Sequence, residues 1–173
     1  MAERTYIRPV SRRDRSEFLH LTQQSQHVHE PWISPPLSDA TFHSYLKRTE
    51  QNDHEGLLVC LKDEDAIVGV ININNIVRGS FLSASLGYYV SAAYMGHGYM
   101  REGLELVKTY AFSHLGLHRL EANIQPENRR SIELVRTCGF ELEGMSRAFL
   151  FIAGSWRDHE RWTAFHPRAT LLP

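Results

Sequence analysis

The sequence predicts a single α+β domain in which helices interleave with a largely antiparallel sheet. Short runs rich in Val, Ile and Tyr recur along the chain, amphipathic helical stretches fall between them, and the last two runs face each other across a tight turn. The 173 residues, 42% of them apolar, are enough for one core and show no linker, repeat or low-complexity tract.

Thr5 to Pro9 reads as a first strand, closed by its proline. Ser11 and Asp14 form a capping pair, and Phe18, Leu19 and Leu21 give the apolar side of a first helix. Ser25 to Ser38 reads as irregular, holding Pro31, Trp32, Pro35 and Pro36. Ser38 caps a second helix in which Phe42, Tyr45 and Leu46 keep helical spacing. Gly56 to Lys62 and Ala66 to Ile73, joined by Asp63-Glu64-Asp65, predict a hairpin, and a further strand follows at Ser83 to Val90. Leu104, Val107, Ala111 and Leu115 mark a helix over Met100 to His114, ended by Gly116. Leu120 to Ile124 is a strand and Asn128 to Cys138 a helix stopped by Gly139. Phe140 to Ile152 and Trp156 to Phe165 close the chain as a hairpin turned at Ala153-Gly154.

A formal net charge of −1 gives no field of the kind that draws nucleic acid or membrane to a whole surface. Cys60 lies in an apolar run and Cys138 precedes a glycine, a spacing that matches neither a disulfide framework nor a metal knuckle. The start Met1-Ala2-Glu3-Arg4 lacks an apolar core segment, and no apolar run is long enough for a membrane span. The expectation is a soluble cytoplasmic protein.

The segment richest in chemistry is Met95-Gly96-His97-Gly98-Tyr99-Met100-Arg101, where a strand runs into a glycine loop and a long helix begins at once. Glycines let the backbone approach an anion, and the first N–H groups of a helix point outward without internal partners. A pyrophosphate suits such a cradle. Gly96-x-Gly98 lacks the third glycine of a dinucleotide fingerprint and the Gly-Lys-Ser/Thr of a P-loop, and taken alone it reads equally as a plain turn. A second helix start follows at Asn128-Arg129-Arg130-Ser131, where Asn128 reads as an N-cap and Ser131 as a first-turn serine. His27-Val28-His29 lacks a second ligand set and reads as loop histidines; no metal is expected.

In order along the chain, Glu30-Pro31-Trp32, Asn75-Ile76-Val77-Arg78-Gly79-Ser80-Phe81, Leu86-Gly87-Tyr88, the loop Gly96 to Leu104, His118 to Asn123, Pro126 to Ser131, Cys138 to Gly144 and Gly154 to His159 resemble segments of the GNAT acetyltransferases, most closely the RimJ/RimL branch. The resemblance implies the GNAT fold, a twisted, mostly antiparallel sheet of about seven strands flanked by about four helices. It also implies a single GNAT domain over residues 1–173 and an acetyl-CoA-dependent N-acetyltransferase acting on a protein N-terminus. It is compatible with a homodimer.

The same resemblance places Tyr89 and Val90, with Tyr88 beside them, along the pantetheine arm. Gly96, Gly98, Tyr99, Met100 and Arg101 would give N–H groups to the pyrophosphate, with Met95 and His97 completing the loop. Asn128 would bond the pantetheine or thioester, Ser131 would protonate the departing sulfur, and Trp32 and Arg78 would lie on the acceptor side. Two positions depart from the superfamily pattern: Met95 replaces the usual Gln or Arg, and Met100 the usual Gly or Ala. A glutamate found in RimL-like relatives has no match in Ser146-Arg147-Ala148-Phe149-Leu150, so Glu121, His29, Glu30 and Glu102 stand as bases by chemistry alone. A small-amine acetyltransferase and a catalytically silent acyl-CoA-binding regulator are the competing readings.

Overall fold

The computed structural model describes residues 4–167. One mixed sheet runs through it, built from β1 (Thr5–Pro9), β2 (Glu55–Leu61), β3 (Ile67–Val77), β4 (Ser83–Val90), β5 (Arg119–Ile124), β6 (Glu141–Ile152) and β7 (Ser155–Phe165). Its spatial order is β1-β2-β3-β4-β5-β7-β6. Every neighbouring pair is antiparallel except β4 and β5, which run parallel. The GNAT fold expected from the sequence is the fold observed.

Among the described residues five α-helices flank the sheet: α1 (Arg15–Gln24), α2 (Gln26–His29), α3 (Asp39–Thr49), α4 (Tyr99–Ser113) and α5 (Arg129–Thr137). The sequence predicts four, because α2 lies inside the stretch read as irregular. Four residues make one turn, too short for periodicity to show; the Ser25 carbonyl holds it by accepting from the N–H groups of Val28 and His29 at 3.0 and 3.1 Å. Strand β3 also runs four residues past the predicted Ile73. Its end carries a bulge between Asn74 and Val77, where Asn75 takes a φ of 53°. Asparagine tolerates that left-handed geometry, so the polar stretch past Ile73 continues as a bulged strand.

Each face of the sheet buries its own core. On one, α4 and α5 cover Val59, Ile71, Leu86, Leu104, Val107, Leu120 and Ala122. On the other, α1 and α3 cover Leu58, Cys60, Val70 and Tyr89 with Phe18, Phe42 and Tyr45, the Phe18 and Phe42 rings 4.9 Å apart. Helix α4 lies close against β2 because Gly103 faces Val59: a Cβ there would stand 2.6 Å from Val59 Cγ2. This contact sets the depth at which the start of α4 meets the sheet. Among the described residues no helix is long and apolar enough to cross a membrane.

Candidate active site

Strands β4 and β5 pair from Ser83–Arg119 to Leu86–Ala122 and then part, although both continue, to Val90 and Ile124 respectively. The backbone of Gly87 to Val90 therefore faces a gap rather than a neighbour on that side. Parallel strands that diverge leave N–H and C=O groups for an inserted extended ligand. The side chains sort by alternation: Tyr88 points toward α5, while Tyr89 is buried among Phe18, Tyr45 and His29. Tyr89 is buried on the cleft side, and its hydroxyl has no hydrogen-bond partner among the described residues. The carbonyl of Val90 accepts from His29 Nε2 at 2.8 Å, which ties α2 to the end of β4. Burial pushes the His29 imidazole below its ordinary pKa of 6.5, the Val90 hydrogen bond opposing it.

Below the gap lies the glycine loop. Gly96 and Gly98 have φ of 79° and 81°, and Gly98 is the N-cap of α4. No side chain among the described residues caps this end, so the N–H groups of Tyr99, Met100 and Arg101 are left to whatever approaches. Nothing lies within 4 Å of a Cβ built on Gly96, so its glycine meets the backbone angle and not a crowding neighbour. His97 Nδ1 donates to the Met95 carbonyl at 2.9 Å, and its ring stacks on Tyr99 with an interplanar angle of 7°. The Met100 side chain packs into the core over Gly69, so it reaches the loop only through its N–H. Arg101 is exposed. Arg4 braces the loop from outside: it donates to the His97 carbonyl at 2.9 Å, pairs with Glu102 and lies 4.6 Å over the Tyr99 ring. Glu102 is therefore occupied and held below the ordinary carboxylate pKa; burial opposes that depression, and the Arg4 hydrogen bonds produce it.

Across the gap, Asn128 caps α5 by accepting from the Ser131 N–H at 3.2 Å. The Ser131 hydroxyl meets the Tyr88 hydroxyl at 2.6 Å, joining β4 to α5 directly over the gap. Burial raises the Tyr88 pKa above 10, against the lowering effect of the Ser131 bond, so the phenol stays protonated at neutral pH. The sequence names both residues but carries no sign of this pairing, which exists only because α5 begins over β4.

The gap and the space on the α1–α3 side form one cleft of about 1110 Å³, which Tyr88, Asn128 and Ser131 also line. Trp32 is in its wall, with Phe149 to Ala153 of the β6–β7 hairpin opposite. Arg78 is not: it follows the bulge at the far end of β3 and donates to the Leu115 carbonyl. Glu30 is exposed and also outside the cleft wall. Glu121 does line the cleft, but its carboxylate accepts from Arg119 Nε at 2.9 Å and from Arg161 Nη2 at 2.9 and 3.1 Å. Arg119 also reaches across β7 to Glu143, whose pKa its hydrogen bonds depress to about 2. Glu121 is the one carboxylate among the described residues lining the cleft, against the guanidinium groups of Arg48, Arg119 and Arg161.

Several polar atoms in this wall are buried without a hydrogen-bond partner: Asn123 Oδ1, Gln125 Nε2 and Arg161 Nε. Asn123 and Arg161 are directly opposite each other on β5 and β7. Such atoms cost about 1–3 kcal/mol each when left unpaired, so this part of the wall holds polar groups that the protein alone does not satisfy. His159 also lines it, only 2% exposed. Alternation along the final strand places His159, Arg161 and Thr163 on one face, but which partner strand that face meets is not visible in sequence. No group of three or more His, Cys, Asp or Glu able to hold a metal occurs among the described residues.

Comparison with known proteins agrees with this geometry. Residues 4–141 match the family model described as an acetyltransferase (GNAT) domain. The chain is similar to the [Ribosomal protein uS5]-alanine N-acetyltransferase of Escherichia coli (strain K12), 33% identical over 91% of this chain and 85% of that one. It is also similar to the spermidine N(1)-acetyltransferase of the same strain, 26% identical over 92% of this chain and 84% of that one. Among solved structures, Mycobacterium smegmatis RimJ in complex with CoA-disulfide superposes with a TM-score of 0.86 at 28% identity, covering 98% of this chain and 84% of that one. The parted strands, the glycine cradle at the start of α4 and these likenesses together make the chain a member of the GNAT acetyltransferase family, an N-acetyltransferase of its RimJ-like branch.

Proposed function

We propose that the protein transfers the acetyl group of acetyl-CoA to the N-terminal α-amine of a protein or peptide. The charge of the acceptor cleft carries this choice over a polyamine: three guanidinium groups face one carboxylate, and two of the three already clamp it. At an effective dielectric of ~40, a unit charge held ~8 Å from an unpaired guanidinium costs about 1 kcal/mol. A polyamine brings several such charges, whereas an α-amine brings one and loses it readily. With a reference pKa near 8 against roughly 10.4 for lysine, an α-amine is neutral at pH 7 about two-hundredfold more often. The 33% identity to an enzyme named for a ribosomal-protein alanine supports the same reading.

The residues present fit the donor. The N–H groups of Tyr99, Met100 and Arg101 would take the pyrophosphate, and the exposed edge of Tyr88 to Val90 would pair with the pantetheine arm. Asn128 and Ser131 would stand at the thioester end. Holding amine and thioester together in the gap contributes ~7 kcal/mol or more to the rate. The amine nitrogen attacks the acyl carbon, the C–S bond breaks, and the Ser131 hydroxyl, backed by Tyr88, gives its proton to the departing sulfur. Asn123 and Arg161, paired across β5 and β7, would stand in the wall beside the first residue of the acceptor.

Thiol release from acetyl-CoA, measured with peptides beginning in Ala, Ser and Met and with spermidine, tests this. The expected result is a kcat/KM at least about tenfold higher for the best peptide than for spermidine. A preference for spermidine overturns the acceptor assignment, and no release with any amine overturns the catalytic one.

A further inference from the structure

We propose that His159 is the base that takes the proton from the acceptor amine. This rests on the N-acetyltransferase reading above and fills the role for which the sequence offers no carboxylate.

The tautomer of His159 is set by its surroundings. Nδ1 lies 3.0 Å from the carbonyl oxygen of Arg157, which can only accept, so Nδ1 carries the hydrogen and Nε2 is the bare acceptor. The side-chain hydrogen bond of His159 is made through Nδ1, and the residue lines the cleft. A bulge secures the ring. Between the pairs Ser146–His159 and Leu150–Arg157, β6 carries extra residues opposite Asp158. Ala148 takes a φ of 46° there, and its N–H is held by Asp158 Oδ1 at 2.7 Å. The bulge brings the Phe149 ring to 6.0 Å from the imidazole, edge to face. The stretch without the expected glutamate is therefore the stretch that packs His159 in place.

Position on the sheet separates His159 from the other bases of the cleft. The last β5–β7 pair is Ile124–Glu160, so His159 stands one residue further, at the level where β4 and β5 have parted, and one strand (~4.8 Å) from β5. Glu121 lies below that level, beside the still-paired Ser85, and is held by two arginines. His54 precedes β2, two strands from β4, at the level of the paired region, and its Nδ1 is bonded to Asp53. His29 lies behind Tyr89 with Nε2 on Val90. In the step assigned to His159, nitrogen forms its bond to the acyl carbon, the C–S electron pair leaves with sulfur, and the amine proton passes to Nε2. Ser131 supplies the thiol proton, and solvent returns one to Ser131 and removes one from His159.

The charged and titratable groups around His159 are Arg157 and Arg161 on β7, Arg119 and Glu121 on β5, Glu143 on β6, Arg48 on α3 and His54 before β2; Arg119 and Arg161 both bond Glu121 and Arg119 also bonds Glu143, while β6 further presents Ser146 and Phe149. The test uses His159→Asn, whose amide keeps a donor for the Arg157 carbonyl, and His159→Gln, whose amide lies nearer Nε2. Both are assayed on whichever amine the wild type accepts. Expected are a kcat lower by about 10²–10⁴-fold at pH 7, an unchanged KM for acetyl-CoA, and a deficit that narrows as pH rises toward 9.5 and the amine arrives deprotonated. A purely structural role gives the same deficit at every pH. A folded variant of either kind with wild-type kcat, or a deficit that does not change with pH, overturns the assignment while leaving the function intact. A wild type inert toward every amine removes both. If neither variant folds, Phe149→Leu decides, because it loosens the packing of the imidazole and leaves His159 in place: a kcat deficit that narrows toward pH 9.5 supports the assignment, and a wild-type kcat or a pH-independent deficit refutes it.

Discussion

Gly98 does two things that no other residue does as cheaply: it holds a φ of 81° and it begins α4. Gly98→Ala imposes roughly 1–2 kcal/mol of left-handed strain and sets a methyl 3.4 Å from Arg4 Nη2. The expected result, by calorimetric titration with CoA, is about tenfold weaker binding with the fold retained. Ser131 and Tyr88 act as a unit through their 2.6 Å contact. Ser131→Ala is expected to lower kcat by about 10²-fold with KM for acetyl-CoA little changed, and Tyr88→Phe by less. The double variant falls short of the sum, which a double-mutant cycle on kcat reads directly. These residues were legible in sequence because their signals are local: a glycine before a helix, an N-cap and its third residue. Asn123, Arg161 and His159 were not. They meet only through the register of β5 against β7, and nothing in either segment alone announces the other. Arg78, expected on the acceptor side, follows the β3 bulge and donates to the Leu115 carbonyl, a contact that sequence does not announce.

At the scale of elements, the site depends on how deep α4 sits. Gly103 allows the helix to touch Val59, and Gly103→Ala would bring a methyl to 2.6 Å from Val59 Cγ2. Overpacking of this kind costs about 1–3 kcal/mol, and because the same helix carries the anion cradle, CoA affinity should fall with thermal stability. Denaturant unfolding and CoA titration on one preparation check both; a stability loss with unchanged affinity would mean the cradle moves independently of the helix body. Most elements were readable from caps and spacing, β1, β4 and α3 among them. The misses, α2 and the end of β3, are one turn of helix and a bulged strand of asparagines, both held by long-range partners such as the Ala92 N–H on Ser25 Oγ and the pairing of β3 with β4. Local propensity is too weak to reveal either.

For the whole molecule, the sheet divides the labour between its two sides. The α4–α5 side supplies the anion cradle and Ser131; the α1–α3 side opens into the cleft of Trp32, Phe149 and the arginines. The parting of β4 from β5 joins the two; in the proposed reaction the thioester would be presented from one side and the amine would approach from the other. The fold was predictable from element order, but the sign of the cleft was not: a chain with net charge −1 has a cleft wall with three guanidinium groups and one carboxylate. If that sign excludes polyamines, Arg48→Glu should raise kcat/KM for spermidine by about threefold or more and leave peptides less affected, as parallel thiol-release assays would show. The most direct test of α-amine transfer uses one peptide carrying a free N-terminal alanine and an internal lysine, incubated with acetyl-CoA and read by fragmentation mass spectrometry. The expected product carries a single acetyl group on the N-terminal nitrogen; an acetyl group on the lysine nitrogen would contradict the assignment.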